Sequence, residues 1–207
     1  MKSIELRELA KLWLRNKHPD ALILHELSVA EFGGAMVDVA AITPTQIIGV
    51  EVKGDGDGPS RLMRQGYMYS RVCRTMHILC DPAVWEKCAK HVPEGWGVIE
   101  MAPDETKFGN YDVCPLSNLA TYKYRTADET GYGLAPVALA AMPWTKEYRE
   151  FELALKTNLP EHKAKCVASV AERFPLRKIE AAVCHVLRKR NWYAKDVLLP
   201  SAASEKP

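Results

Sequence analysis

The chain has 207 residues, 47% of them hydrophobic and 26% charged, with a formal net charge of +2. That length suits one domain, or one domain with an appendage, and can bury a core without disulfide staples. The near-neutral charge excludes a polycation that holds nucleic acid by bulk attraction, so any such contact must come from basic residues gathered on one face.

Apolar residues at helical spacing (Ile4, Leu6, Leu9, Ala10, Leu12, Trp13, Leu14) predict a helix over 3–16 with Ser3 as N-cap. Residues 21–29 are apolar and read as a strand, and Gly33-Gly34 as a turn. The runs 35–42 and 46–53 are strongly apolar and joined by Thr43-Pro44-Thr45, a pattern that predicts a β-hairpin. A Gly/Asp loop follows, then a helix from Ser60 to about Arg74, a strand over 76–80 and a helix from Asp81-Pro82 to about His91. A further strand is expected over 96–101. The order implies an α/β protein with a mixed central β-sheet flanked by helices. Residues 102–144 read as an irregular insert or linker, with a short strand at 111–114. Helices over 145–157, 161–173 and 176–190 predict a helical C-terminal extension, 145–198, and 199–207 reads as a disordered tail.

The six cysteines form no C-x-x-C pair and mostly have apolar neighbours, so they read as buried thiols in reducing surroundings. The N-terminus reads as a charged amphipathic stretch rather than a secretory leader, and no apolar run approaches membrane-spanning length. A cytoplasmic protein with no membrane partner is expected.

The chemistry is suggested by where the charges sit. Asp38 interrupts one apolar run and Glu51 the other. A lone carboxylate in a buried strand is costly unless it is paired or bound to a cation. Both acids are about one short strand from the turn near Pro44, so the hairpin brings them together. Two carboxylates held close repel and raise one pKa, a conflict that a divalent cation relieves. Hard oxygen donors suit Mg²⁺ or Mn²⁺. Strand alternation places Lys53 on the same face as Glu51, where an ammonium can orient a water and steady charge on a phosphate. The Val52 carbonyl is a further candidate ligand.

Asp38 followed by Glu51-Val52-Lys53 resembles the D…(D/E)-x-K signature of the PD-(D/E)XK nuclease superfamily. Gln65 and Tyr69, four apart on the next helix, look like the Gln-x-x-x-Tyr element of its RecB-like branch. The stretch Gly49–Asp55 with Arg61-Leu62 and Gln65, and Val92–Ile99, also resemble an uncharacterised sce-type family of bacterial and phage proteins. The likeness covers roughly residues 26–101 and implies a restriction-endonuclease-like core over 1–101. It implies that Asp38 and Glu51 bind metal, that Lys53 assists the water, and that an upstream acid joins them. Glu26 fits that spacing and Glu31 competes with it. In departure from the family, Gly54 replaces a serine and Met36-Val37 stands where an arginine often precedes the aspartate, which puts one phosphate contact in doubt. The iron–sulfur cysteines of some relatives have no counterpart, so no cluster is expected.

The resemblance implies a metal-dependent nuclease acting on phosphodiester bonds, on DNA rather than RNA, in phage or bacterial DNA processing, repair or defence. A catalytically silent module that binds nucleic acid or a protein partner is the alternative. Arg61, Arg64 and Arg71, with Arg188 and Lys189 near the C-terminus, are the expected phosphate contacts. Arg74 is a further candidate of that kind, His25 a weaker candidate base and Asp55 and Asp57 weaker candidate metal ligands, and assembly into a homo-oligomer is left open.

Overall fold

The computed structural model describes residues 2–29, 35–103, 111–114, 133–193 and 197–198. The chain opens with α1 (Ser3–Lys17), followed by β1 (Leu22–Val29), β2 (Ala35–Ile42) and β3 (Ile47–Lys53). Then come α2 (Leu62–Ser70), β4 (Thr75–Cys80), α3 (Pro82–Cys88), β5 (Gly97–Pro103) and β6 (Tyr111–Cys114). Four helices follow, α4 (Pro136–Ala140), α5 (Tyr148–Leu155), α6 (Lys163–Arg173) and α7 (Leu176–Lys189), and then β7 (Val197–Leu198). The strands form one mixed sheet in the order β6-β5-β4-β3-β2-β1-β7. Strands β1, β2 and β3 are an antiparallel meander, whereas β3, β4 and β5 run parallel. Parallel neighbours need a crossover, and α2 and α3 lie in those two connections. This is the α/β sheet flanked by helices that the element order implies.

Helices cover both faces unequally. On one, α1 buries Leu6, Ala10 and Leu14 against Ile23, Val39, Ala41, Ile48, Val50, Val52, Leu79 and Ile99. The four-residue spacing puts those three side chains on one stripe, and Ile4 and Leu12 point to solvent. On the other face a larger core joins the odd-numbered side of β3 to α2, α3 and the C-terminal helices, through residues such as Tyr69, Cys88, Leu139, Phe151, Val170 and Val183. The C-terminal helices thus share a continuous core with the sheet.

Local signals set several ends. Asp81 accepts a hydrogen bond from the Ala83 N–H at 2.8 Å and Pro82 fills the first helical position, as expected for the start of α3. The start of α1 differs from expectation. Lys2 occupies the cap, its N–H donates to Glu5 Oε2 at 2.9 Å, and Ser3 is already helical. The Ser3 hydroxyl instead donates to Asp57. Helix α2 is also shorter than the expected 60–74, ending at Ser70 after a 3-10 turn over Pro59–Arg61. Within the stretch 102–144, α4 is regular helix where loops were expected, and the Gly33-Gly34 turn lies outside the described residues. Cys73, Cys80, Cys88, Cys166 and Cys184 are buried free thiols. Among the described residues no helix is long and apolar enough to cross a membrane.

A buried ion pair ties α7 to the sheet. Glu180 is 1% exposed and receives Arg74 through Nε at 3.2 Å and through Nη2. Arg74, a further candidate for phosphate contact, is therefore a structural residue. Removing one partner of such a pair strands the other charge in the core, a larger loss than replacing both. Arg74→Ala should lower stability by about 3 kcal/mol, and Arg74→Met with Glu180→Leu should recover most of it. Urea midpoints read both, and an unchanged midpoint in Arg74→Ala would remove this pair from the fold's supports.

Candidate active site

The turn between β2 and β3 sets the site. Thr43 Oγ1 accepts from the N–H groups of Thr45 and Gln46, and its backbone N–H donates to Gln46 O, closing a turn that pairs Ile42 with Ile47. The register then runs through Ala40↔Gly49 to Val39↔Val50. The paired register ends at that pair, one residue short of Asp38 and Glu51. There the Val52 N–H donates to Asp38 Oδ2 at 2.9 Å, so a side chain accepts this backbone hydrogen bond.

Asp38 also marks a change of face. Ala40 and Ile42 pack in the larger core with Val37, whereas Val39 and Ala41 pack beneath α1. The same slip occurs on β1: Leu22 and Leu24 share the larger core with Leu27 and Val29, and Ile23 lies on the α1 side. Between them Glu26 has φ 61°, a left-handed conformation in mid-strand. For a non-glycine residue this costs on the order of 1 kcal/mol and tends to occur where a site holds it. By register Glu26 lies beside Asp38, since His25 pairs with Val39 and Leu27 with Val37. Both acids therefore belong to neither core and open into a cleft.

That cleft has a volume of about 370 Å³ and is lined from α1, the strands and α2. It brings together six of the expected residues, Glu26, Asp38, Glu51, Lys53, Gln65 and Tyr69, along with Val52, Arg61 and Arg64. Glu51 and Lys53 are 1% and 2% exposed. Lys53 Nζ donates to Glu51 Oε1 at 2.7 Å and to Gln65 Oε1 at 3.3 Å. Gln65 Nε2 donates to Glu51 Oε1 at 2.7 Å and to the Tyr69 hydroxyl at 3.2 Å. Tyr69 in turn donates to Met36 O at 2.5 Å. This chain of bonds determines the orientation of the Gln65 amide and fixes the amine beside the acid. Burial and the Glu51 charge raise the Tyr69 pKa, so its hydroxyl stays a donor.

Glu51 is the strained member. Burial and then the neighbouring Asp38 carboxylate push its pKa up to about 7, against the opposing pull of Lys53. Its Oε2 is buried without a hydrogen-bond partner. An orphaned hard oxygen next to a second carboxylate is a donor set that suits Mg²⁺ or Mn²⁺. The fit is to two carboxylates: among the described residues no three His, Cys, Asp or Glu side chains are grouped to hold a metal. Glu26 is the more exposed acid and bonds to a guanidinium, while Glu31 lies outside the described residues.

That guanidinium belongs to Arg7, a residue the sequence did not single out. Its Nη2 donates to Asp38 Oδ1 at 2.7 Å and its Nη1 to Glu26 Oε1 at 3.4 Å. Residue 7 lies at the margin of the stripe Leu6–Ala10–Leu14, and helical periodicity does not say which strand lies beneath it. The loop after β3 anchors α1 here. Asp57 Oδ2 accepts from both Ser3 Oγ and the Gly54 N–H at 2.8 Å, so Asp57 serves the loop. A Cβ on Gly54 would come within 2.6 Å of Ser3 N, which accounts for glycine where the resembled family has serine.

Three expected phosphate contacts lie outside the cleft lining. Arg188 donates to Asp20 O and Ile42 O, both at 2.9 Å, joining α7 to the opposite end of β2. Lys189 pairs with Glu150 at 2.9 Å. Arg71 lies over the Tyr67 ring and donates to its hydroxyl, outside the cleft lining. Neither His25 nor Asp55 lines the cleft.

The Glu51 shift has a consequence for pH. The folded chain holds this proton up to about pH 7 and the unfolded chain only to about its ordinary 4.5, so the metal-free protein loses stability as pH rises between those values. Melting temperatures across pH 4.5 to 7.5 should fall more steeply for the wild type than for Glu51→Gln, and Mn²⁺ should lessen the fall. Parallel profiles for the two proteins would show that Glu51 does not titrate in this range.

The chain matches the family described as Bacteriophage P4 protein cII over residues 8–206. No curated protein and no solved structure matches it. Since the match takes in nearly the whole length, from α1 through the cleft strands to the C-terminal helices, the chain belongs to the bacteriophage P4 protein cII family.

Proposed function

We propose that this protein is a metal-dependent nuclease of PD-(D/E)XK type that hydrolyses phosphodiester bonds in DNA. The observation that carries this reading is the convergence of Asp38, Glu51 and Lys53 from adjoining strands on one cleft, with Gln65 of α2 bonded to Glu51 and Lys53 and Tyr69 bonded to Gln65. Asp38 and Glu51, with the Val52 carbonyl as a candidate third donor, would hold Mg²⁺ or Mn²⁺. Such an ion supplies Lewis-acid stabilisation of charge on the phosphate and lowers the pKa of a water.

The chain's own groups do the rest. Lys53 is held by Glu51 and Gln65, so its ammonium can donate to an attacking water or to a phosphate oxygen without first being ordered. Arg61 and Arg64 line the cleft and can take neighbouring phosphates. The lining sets four cationic side chains (Arg7, Lys53, Arg61, Arg64) against four acids (Glu26, Asp38, Glu51, Asp57), so with Glu51 ionised the bare cleft has no charge excess with which to draw in a phosphodiester. A divalent cation would tip that balance. The role proposed is in phage or bacterial DNA processing, repair or defence, and membership of a phage family is compatible with an infected bacterial cell.

A second reading has an observation in its favour. Both Asp38 oxygens are already taken, one by Arg7 and one by the Val52 N–H, as they would be in a nuclease-like module that binds nucleic acid or a partner without cutting. Incubation with single-stranded, duplex and branched DNA in the presence of Mn²⁺ separates the two. The nuclease reading expects cleavage of at least one substrate, full inhibition by EDTA, and a loss of about 10²–10⁴-fold in Lys53→Ala and Asp38→Asn. Retained binding with no cleavage of any substrate would favour the silent module.

A further inference from the structure

Arg7 occupies the place in the cleft where positive charge is most needed. Its two contacts are Asp38 and Glu26, the two acids at the face change of β2 and β1. Its Nε is buried without a partner, so the guanidinium is only partly satisfied where it stands. Its backbone cannot easily withdraw. Helix α1 is tied to the loop after β3 through Ser3, Asp57 and Gly54, and Gly54 is in close approach to Ser3. Any change of partner must therefore be made by the side chain.

From this geometry we infer that Arg7 is a positioning residue that serves as the internal counter-ion of Asp38 and moves to the phosphodiester when a divalent cation takes the carboxylate. The inference rests on the nuclease reading. Asp38 Oδ2 accepts the Val52 N–H, which orients the carboxylate whether or not a cation is present. The oxygen that must change partner is Oδ1, held by Arg7. A cation that binds there removes the attraction holding Arg7 and places like charge beside it. The guanidinium is then left in the same cleft as Arg61 and Arg64, with a planar donor set that matches phosphate oxygens. Arg7 in this way keeps the empty site from collecting uncompensated acid charge, and it couples cation binding to phosphate capture. It also fills the role left open by Met36-Val37, where the resembled family carries an arginine before the aspartate.

The test compares wild type, Arg7→Gln and Arg7→Lys. Calorimetric titration with Mn²⁺ alone reads the competition, and cleavage kinetics at saturating Mn²⁺ on a DNA substrate that the wild type cuts read the phosphate contact. Arg7→Gln should bind Mn²⁺ about fivefold or more tightly than wild type, because an internal competitor has gone. It should cleave about a hundredfold more slowly, with a raised KM for DNA. Arg7→Lys should be intermediate in both and keeps the test open if Arg7→Gln fails to fold. Opposite movement of the two readouts is the signature, since a merely structural loss would weaken both. Unchanged or weaker Mn²⁺ binding in the variants, or unimpaired cleavage, would overturn the role of Arg7 and leave the nuclease reading standing. A wild-type chain that neither binds Mn²⁺ nor cuts DNA would overturn both.

Discussion

The opposition of Asp38 and Glu51 across the parting of β2 and β3 is the constraint around which the rest of the site is arranged. One acid is almost wholly buried and the other is close enough to raise its pKa. Left alone, this pair would be among the most costly features of the fold. The chain offsets the cost with a buried lysine, a glutamine that bonds to both members of the Glu51–Lys53 pair, a backbone N–H on Asp38 and the Arg7 guanidinium. The compensating groups come from β3, α2 and α1, which makes the site a product of the packed sheet and helices rather than of a loop.

The fold supplies this arrangement economically. A meander brings Asp38 near Glu51 just beyond the last paired residues, and the parallel continuation through β4 demands a crossover that brings α2 over the face carrying Glu51 and Lys53. Gln65 and Tyr69 then point at the pair because they are four residues apart on one side of that helix. On the opposite face α1 buries a narrow stripe, and its Arg7 reaches Asp38. The two face changes, one at Glu26 with its positive φ, turn acids out of the cores and into the cleft. Strain at that position is what a functional site tolerates and an ordinary strand avoids.

Stability and chemistry are also separated in space. The C-terminal helices bury much of the larger core, and their charged residues make structural bonds: Glu180 with Arg74, Arg188 with two carbonyls, Lys189 with Glu150, and Arg190 with Glu147 at 2.7 Å. In the basic cluster of the sequence Arg188 and Arg190 make part-buried ties, and Lys189 makes an exposed one.

Much of the architecture was legible in the residues themselves. Alternating apolar runs, Gly and Pro punctuation and helical spacing predict nearly every described strand and helix, because periodicity records which side chains face a core. The set Asp38, Glu51 and Lys53 was legible for a related reason, since charges inside apolar strands stand out and a short turn fixes their register. Gln65 and Tyr69 were found through resemblance and helical spacing. Arg7 was not, nor was the left-handed Glu26, nor the internal partners of Arg71, Arg188 and Lys189. Apart from Arg71, whose partner Tyr67 is four residues away, these depend on which distant segment lies alongside, 31 residues away for Arg7 and Asp38 and 146 for Arg188 and Ile42. Local sequence determines element type and the face a residue presents. The meeting of faces is decided by tertiary packing, where burial and charge compensation over long separations choose the partners.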